Sequence, residues 1–481
     1  MKIVSCAHVG AGSRQGLMGR IAATMWIAAV ACAGLWASPT WAESVSTAAA
    51  PPLEVSVQDA EPPLDDAERS ASIGSDTDQT EDGEEPGNEA SASGTDGEEA
   101  PDRASQLAGP GSVKGQIHAD AKMRKVERLQ QPKERLQSEY GLTLGADLNM
   151  LMQQINESPG SNDGVTGVAR FYGHWALVGR DDPTDVGSLV FKVEYRGKLG
   201  TDIPAQVVLP TAGVAGISGP TFGDNSFMLS NLYWTQAFAD NRFAFNAGVV
   251  DPTDYLDVFG LVNVWTDFNN LAFSTNPTIQ IPNQGLGAAA RFMFTENFYV
   301  LGGFADANAD PHRPEDFFSS FGDGEYFKHV EFGWIGSWSG RFGDNAHVLL
   351  WEVDDREEAG IEGGWGATVS WSAPLNDRWL TFVRGGYSDS GGTIVDRTVS
   401  TGFGYTIDDQ DSYVGFGINW GRAPADPGDD ARDQFMFETY YRTTIVPGLS
   451  VVPSVQYILD PAYNLEVSNL WLLGVRLRAV W

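Results

Sequence analysis

The sequence has 481 residues, with 64 acidic and 31 basic side chains and a formal net charge of −33. Aromatic residues and glycine are abundant, whereas only two cysteines occur, which excludes a disulfide scaffold and a cysteine-ligated metal centre. The acidity argues against nucleic-acid binding, which requires a concentrated basic face. Beyond the N-terminal region no run of about 18 apolar residues exists, so a protein that crosses a membrane with helices is excluded. A soluble β-rich protein or a β-barrel remains.

The first 42 residues have the pattern of a secretory signal peptide. Residues 1–20 carry three basic side chains and no acid, and residues 21–36 form an apolar core. We expect cleavage after Ala42, with lipidation at Cys32 as the alternative. Because Cys6 and Cys32 both lie in this segment, the exported chain would contain no thiol.

Two further segments precede the region of regular alternation. Residues 43–113 are predicted to be a disordered acidic linker, since residues 43–103 contain 18 acids, two arginines and scarcely an aromatic side chain. Residues 114–139 are predicted to be a short basic helix on the periplasmic side, interrupted at Pro132. This helix either packs on the domain that follows or forms an oligomerising or cell-wall-facing stalk.

Apolar and polar residues alternate from residue 142 to the end of the chain, and this period of two is typical of β-strands with two unlike faces. In residues 187–199 the polar face carries Lys192, Glu194, Arg196 and Lys198. One such strand does not distinguish a sandwich from a barrel.

The number and spacing of the strands favour a barrel. Sixteen strands are predicted, at residues 142–151, 165–178, 187–199, 227–238, 242–250, 286–294, 298–305, 328–338, 345–353, 364–373, 378–387, 394–405, 412–420, 433–444, 449–458 and 469–481. Most have the length of about ten residues that a tilted strand needs to cross a bilayer. Short turns alternate with long loops at residues 200–226, 251–285 and 306–327, as in outer-membrane barrels. The predicted fold of residues 140–481 is therefore a sixteen-stranded antiparallel transmembrane β-barrel.

The last predicted strand supports this assignment. Its apolar residues alternate on one face, and the chain ends at Trp481, as in the C-terminal signal that the outer-membrane barrel assembly machinery recognises. Arg476 and Arg478 fall on the opposite face, which we assign to the lumen because a charge on the lipid side costs about 2–4 kcal/mol at the midplane.

Three stretches carry a resemblance to a known family. The motifs DPTDY and AFSTNPTI in the loop after the fifth strand, SVQYILDP near the end and RLQSEYGLTLGADLN before the first strand resemble the carbohydrate-selective, OprB-like porins of Gram-negative outer membranes. The resemblance covers residues 133–481. It implies a sixteen-stranded barrel with a loop-narrowed channel that passes glucose and related sugars. The family's Trp-Gly-Gly segment ahead of the first strand is replaced here by the linker and the basic helix.

A sugar channel needs polar side chains for hydroxyl groups and aromatic rings for C–H faces. Strand parity directs eleven candidate residues into the lumen: Arg170, Tyr172, His174, Lys192, Glu194, Arg196, Asn246, Arg291, Glu438, Arg442 and Arg476. Each of them either contacts the solute or is a solvated charge that tunes ion selectivity.

The loop at residues 251–285 is the predicted constriction, because a long loop rich in aromatic residues is expected to fold into the barrel mouth. Its candidate residues are Asp254, Tyr255, Asp257, Trp265, Asp267, Phe268 and Asn269. The phenylalanines are expected to pack against the barrel wall. For Trp265, packing and contact with the solute remain alternatives.

Motifs for catalysis or for resident metals are absent from the sequence, so we expect no enzyme activity, no cofactor and no metal site. The acidic runs of the outer loops either bind divalent ions that bridge to lipopolysaccharide or are only solvated. The predicted function is passive diffusion of monosaccharides or small sugars across the outer membrane. A general or ion-selective porin and a non-conducting barrel for adhesion or cell-wall anchoring are the alternatives, and a homotrimer and a monomer are both compatible with the sequence.

Overall fold

The computed structural model describes residues 107–123, 127–180, 185–408, 412–424 and 431–481. The predicted signal peptide and the predicted linker up to residue 106 lie outside the described residues. Among the described residues, no helix has the length and apolar character needed to cross a bilayer.

Sixteen antiparallel strands form one closed barrel, in which each strand pairs with its sequence neighbours and β1 pairs with β16. In chain order they are β1 (Leu142–Ile155), β2 (Asp163–Val178), β3 (Gly187–Lys198), β4 (Ser226–Phe238), β5 (Phe243–Val250), β6 (Gly285–Met293), β7 (Phe298–Asp306), β8 (Tyr326–Ile335), β9 (Asn345–Val353), β10 (Gly364–Asn376), β11 (Trp379–Ser390), β12 (Arg397–Thr406), β13 (Tyr413–Arg422), β14 (Asp433–Val446), β15 (Leu449–Leu459) and β16 (Asn469–Val480). The predicted sixteen-stranded barrel is confirmed.

The two faces of each strand have opposite environments. On β16, Arg476 and Arg478 are fully buried inside the barrel, whereas Trp471 and Leu473 are about half exposed on the outside. The same alternation on the other strands creates an outer apolar surface and a polar interior. Because strand parity fixes which side chains share a face, the interior is the place to look for function.

Strand boundaries differ from the predicted ones by at most four residues. The largest difference is at β1, which was predicted to end at residue 151 and continues to Ile155. The apolar run Met150, Leu151 and Met152 interrupts the alternation there, but the strand keeps its pairing as far as Ile155 with Leu472 of β16. Cross-strand pairing therefore extends the strand beyond its sequence pattern.

Two separate helices precede β1, whereas the sequence predicts a single helix interrupted at Pro132. They are α1 (Val113–Met123) and α2 (Glu127–Tyr140). Pro132 does not interrupt the second one, because α2 continues through it. The missing amide of one proline costs a hydrogen bond, and α2 tolerates that loss.

The first helix is not periplasmic as expected but lies inside the barrel. Gln116 and Asp120 of α1 are buried and contact arginines on the inner face of β2 and β16. The preceding residues 107–112 are mostly buried as well. Residues 107–113 were assigned to the disordered linker, and this boundary is wrong because the apolar side chains of Leu107 and Val113 find partners in the barrel core.

Long loops on one rim also fold inward. The loop between β3 and β4 contains α3 (Val208–Thr211), and the loop between β5 and β6 contains α4 (Leu271–Ser274). A third loop, between β7 and β8, contains α5 (Phe317–Gly322). Both α3 and α4 contain fully buried side chains, so the first two loops occupy the barrel interior and define where a solute can pass.

Candidate functional site

The inner wall of the barrel carries the predicted lumen residues. Nine of the eleven are buried, namely Arg170, Tyr172, Lys192, Glu194, Arg196, Asn246, Arg291, Glu438 and Arg476. His174 and Arg442 are partly buried. A buried charge needs a partner, so the contacts of these side chains decide what each residue does.

The constriction loop, residues 251–284 between β5 and β6, is packed against the inner wall by an aromatic cluster. The ring of Phe268 lies 4.9 Å from Phe273 of the same loop and 5.0 Å from Tyr440 of β14, measured between centroids. Phe259 lies 5.0 Å from Phe382 of β11. All of these rings are buried, so the loop is anchored to strands β11 and β14 by apolar packing.

Asp257 forms the first polar anchor of this loop. Its carboxylate accepts a hydrogen bond from Arg384 of β11, and His347 Nε2 of β9 lies 3.0 Å from its second oxygen. Thr368 of β10 adds a longer contact of 3.3 Å. Burial alone would raise the pKa of Asp257, but Arg384 and the hydrogen bond to His347 outweigh it and hold the pKa below its usual value. The loop is thus tied to three strands through one ionised carboxylate.

A second anchor joins the loop to β14 and β16. Glu438 accepts hydrogen bonds from the backbone amides of Asn269 and Asn270, each at 2.8 Å. Arg476 donates to the side-chain oxygen of Asn269 at 2.7 Å and to the backbone oxygen of Asp267 at 2.6 Å. These two lumen charges therefore hold the loop.

Arg442 takes part in the same anchoring, since its Nη1 lies 2.9 Å from the carboxylate of Asp267. From the sequence, Glu438, Arg442 and Arg476 are predicted to face a solute path. In the structure their charged groups face the constriction loop instead. The alternating sequence pattern places these three residues correctly on the inner face, but it does not indicate their contacts with the constriction loop.

Trp265 packs inside the barrel, which is one of its two predicted alternatives. Its ring is buried and lies 3.6 Å below the guanidinium carbon of Arg170 and 5.6 Å from the ring of Phe222. Phe222 belongs to the inward-folded loop between β3 and β4. The stack of Arg170, Trp265 and Phe222 therefore joins the inner wall to the constriction loop and to the loop between β3 and β4.

Strand β3 contributes a row of charges on the opposite side of the loop. Lys192 Nζ lies 3.8 Å from Asp251 and 4.0 Å from Asp254 at the start of the loop. Glu194 pairs with Arg196 on the same strand. Positive and negative groups thus alternate along this wall, as predicted for a mixed-sign lining.

Asp254 has an unusual ionisation equilibrium. Burial, and to a smaller extent the neighbouring carboxylate of Asp251, raises the pKa of its carboxyl to about 7, although the charge of Lys192 at 4.0 Å acts to lower it. A hydrogen bond of 3.3 Å from Asn231 offsets only part of this. The carboxyl therefore changes its charge near neutral pH.

This equilibrium predicts a pH-dependent stability. The carboxyl has a pKa of about 3.8 when exposed, so the folded state holds an extra proton between about pH 4 and pH 7. The resulting stabilisation is complete below that window and is lost as the pH rises through about 7. Relative to Asp254→Asn, we expect the free energy of unfolding of the unmodified protein to fall by up to about 1.4 kcal/mol per pH unit in this window. Urea unfolding from detergent micelles measures it, and a difference independent of pH would contradict the assignment.

Several interior residues with strong polar contacts are not among the candidates predicted from the sequence. Asp147 of β1 pairs with both Arg170 and Arg478, and Gln116 and Asp120 of α1 contact the same group. The parity of β1 was a signal for Asp147, as was that of β11 for Arg384. Nothing local in the sequence indicates that α1 enters the barrel. In the described part of the chain, no group of three or more His, Cys, Asp or Glu side chains is arranged to hold a metal ion.

Comparison with known proteins identifies the family. The model of the carbohydrate-selective porin, OprB family, matches residues 189–480, which is more than half of the chain. A high-pH structure of Pseudomonas putida OprB has a TM-score of 0.58 and 16% identity, covering 73% of this chain and 97% of that chain. It has the same fold. A low-pH structure of that protein covers 75% of this chain and 98% of its own at 12% identity and a TM-score of 0.44.

A mutant of the Rh. blastica porin covers 70% of this chain and 99% of its own, with 11% identity and a TM-score of 0.43. No curated protein matches the sequence. The family model spans β3 to β16 and includes the constriction loop with its anchors. The chain therefore belongs to the carbohydrate-selective porin family, OprB.

Proposed function

We propose that the protein is a passive channel through which monosaccharides and other small sugars diffuse across the outer membrane. The family and the β-barrel fold indicate an outer-membrane channel protein and not an enzyme. The observation that carries the proposal is the constriction loop, which lies inside the barrel and is anchored by Asp257, Glu438 and Arg476. A loop fixed in this way narrows the lumen to a defined size.

The chemistry of the lining suits a sugar. Charged and amide side chains replace the water around the hydroxyl groups of a sugar, and aromatic side chains cover the C–H faces of the sugar ring. Lys192, Glu194 and Arg196 form such a charged row on β3, and Lys192 lies 3.8 Å from Asp251 and 4.0 Å from Asp254 at the start of the loop. We propose this row and this part of the loop as the solute-facing side of the constriction.

The other loop residues have a different proposed role. Asp257, Asp267, Phe268 and Asn269 set the position of the loop through their contacts with the wall. Trp265 stiffens it by stacking on Arg170. Substitutions at these positions should change the width of the lumen by releasing the loop.

The outer surface supports insertion into the membrane. Exposed Trp471, Leu473 and Trp481 lie on one face of the last strand and its end, where they can contact lipid or the assembly machinery. This surface is compatible with contacts to lipopolysaccharide. It is also compatible with both a monomer and a trimer, and we propose neither oligomeric state over the other. The N-terminal linker is proposed to lie in the periplasm.

Single-channel recording in a planar bilayer tests the proposal. Added glucose or maltose should reduce the ion current in a concentration-dependent manner, because a bound sugar excludes ions from the constriction. Full current at high sugar concentration would instead favour a general or ion-selective porin. Absence of current under all conditions would favour a non-conducting barrel, an alternative that the occupied interior makes worth testing.

A further inference from the structure

The N-terminal segment, residues 107–120, is held inside the barrel by polar contacts at both of its ends. At the helical end, Asp120 pairs with Arg478 of β16 at 2.5 Å and accepts a hydrogen bond from Tyr172 of β2. Gln116 accepts from Arg478 at 3.0 Å and from Arg170 at 3.3 Å. Asp120 and Gln116 are both buried, so this end is fixed to the wall through charged hydrogen bonds.

The other end of the segment reaches the constriction loop. The backbone amide of Gly109 donates to the backbone oxygen of Asp254, and Asn263 donates to the backbone oxygen of Pro110 at 3.2 Å. Asn246 of β5 donates to the backbone oxygen of Leu107 at 3.2 Å. The segment thus bridges the loop and the wall.

The constriction loop and the N-terminal segment occupy adjoining parts of the barrel interior. The loop is anchored to β9, β11, β14 and β16, as Asp257 and Glu438 illustrate. The segment contacts β16, β2 and β5, and at β2 it adjoins the loop, because the Arg170 that donates to Gln116 also stacks on Trp265 of the loop. Two arginines on the inner face of β16 bind different partners: Arg476 binds the constriction loop and Arg478 binds the N-terminal segment.

The contacts are suited to reversible release. Arg170 and Arg478 both retain Asp147 as a partner when Asp120 leaves, so no arginine is stranded without an acid. Withdrawal admits water, which hydrates the polar part of the wall, while the burial of Leu107 and Val113 in an apolar cluster favours the docked state.

From this arrangement we propose that residues 107–120 form a gate: docked, the segment closes the space between the constriction loop and the barrel wall, and conduction requires its withdrawal. This gate rests on the proposed function in one respect, because it requires that the barrel conducts ions. Ion current is therefore the readout, since it does not depend on which solute passes.

The first test compares Asp120→Asn with the unmodified full chain in planar bilayers. Loss of the buried charged contacts should shift the ratio of docked to undocked segment about tenfold, and the mean current should rise accordingly. Glu134→Gln is the matched control, because it makes the same chemical change on an exposed residue of α2. It should leave the current unchanged, and heat-modifiable migration in gels shows that each variant forms the barrel.

A disulfide lock provides the second test. A Cβ added at Gly109 lies 3.3 Å from the Cβ of Val258, just below the separation of about 3.5–4.5 Å found in disulfides, and 2.8 Å from the backbone oxygen of Asp254, so the loop must shift slightly to accept the cysteine. Gly109→Cys and Val258→Cys are introduced together into the Asp120→Asn protein. Oxidation should abolish the added current by tethering the segment to the loop, and a reducing agent should restore it. Each single cysteine variant should not respond to oxidation.

The outcomes separate the gate from the channel. Equal currents in the unmodified chain and in Asp120→Asn, or a current that persists after oxidation, would overturn the gate while the channel function stands. No current in any variant under reducing conditions would overturn both. An increase with Asp120→Asn that oxidation reverses supports the gate.

Discussion

Replacing Asp257 with alanine should release the constriction loop and increase the single-channel conductance. The carboxylate is fully buried and contacts the side chains of Arg384, His347 and Thr368, which lie on three different strands. Its removal leaves Arg384 without this partner in the interior, and breaking such a buried pair costs about 3–5 kcal/mol. Because water can enter the lumen and hydrate Arg384, we expect the cost to appear as undocking of the loop before the barrel unfolds.

Limited proteolysis and hydrogen exchange of residues 251–284 measure this undocking alongside the conductance. Asp377→Ala is the matched control, because Asp377 is exposed in a short turn on the other rim. A variant Asp257→Ala with unchanged conductance and unchanged protection of the loop would show that the anchor does not position the constriction.

Phe268→Ala should destabilise the packed loop by about 3–5 kcal/mol, the usual range for truncating a buried phenylalanine. Its ring is fully buried and contacts Phe273, Phe382 and Tyr440. Urea unfolding from detergent micelles, followed by near-ultraviolet circular dichroism, measures the loss. Leucine at this position should be less costly than alanine because it fills part of the cavity.

Phe318→Ala is the control for this substitution. Phe318 is 81% exposed on α5, so its truncation should change the free energy of unfolding by less than about 0.5 kcal/mol. Equal effects at positions 268 and 318 would mean that the aromatic cluster does not hold the loop.

The barrel was predictable from the sequence because its signal is local. A period of two places Arg476 and Arg478 on one face and Trp471 and Leu473 on the other, and the structure has them inside and outside the barrel. The family resemblance added the expectation of a narrowing loop. At Met150–Met152, where alternation fails locally, the predicted strand ended too early.

The interior contacts were not predictable because they join residues far apart in the chain. Asp257 and Arg384 are 127 residues apart, and Asp120 and Arg478 are 358 apart. No local pattern shows which lumen charge meets which loop residue. The docking of α1 was hidden for the same reason, since a short helix with few apolar residues gives no sign of a polar cavity that accepts it.

Entry of labelled glucose into proteoliposomes is the decisive measurement, because it reports passage of a sugar through the protein. The unmodified chain and Asp120→Asn are reconstituted separately, so that a closed gate is not mistaken for a blocked barrel. We expect glucose to enter both preparations faster than protein-free vesicles, with the higher rate for Asp120→Asn. If glucose enters neither preparation faster than it enters protein-free vesicles, the protein is not a sugar channel.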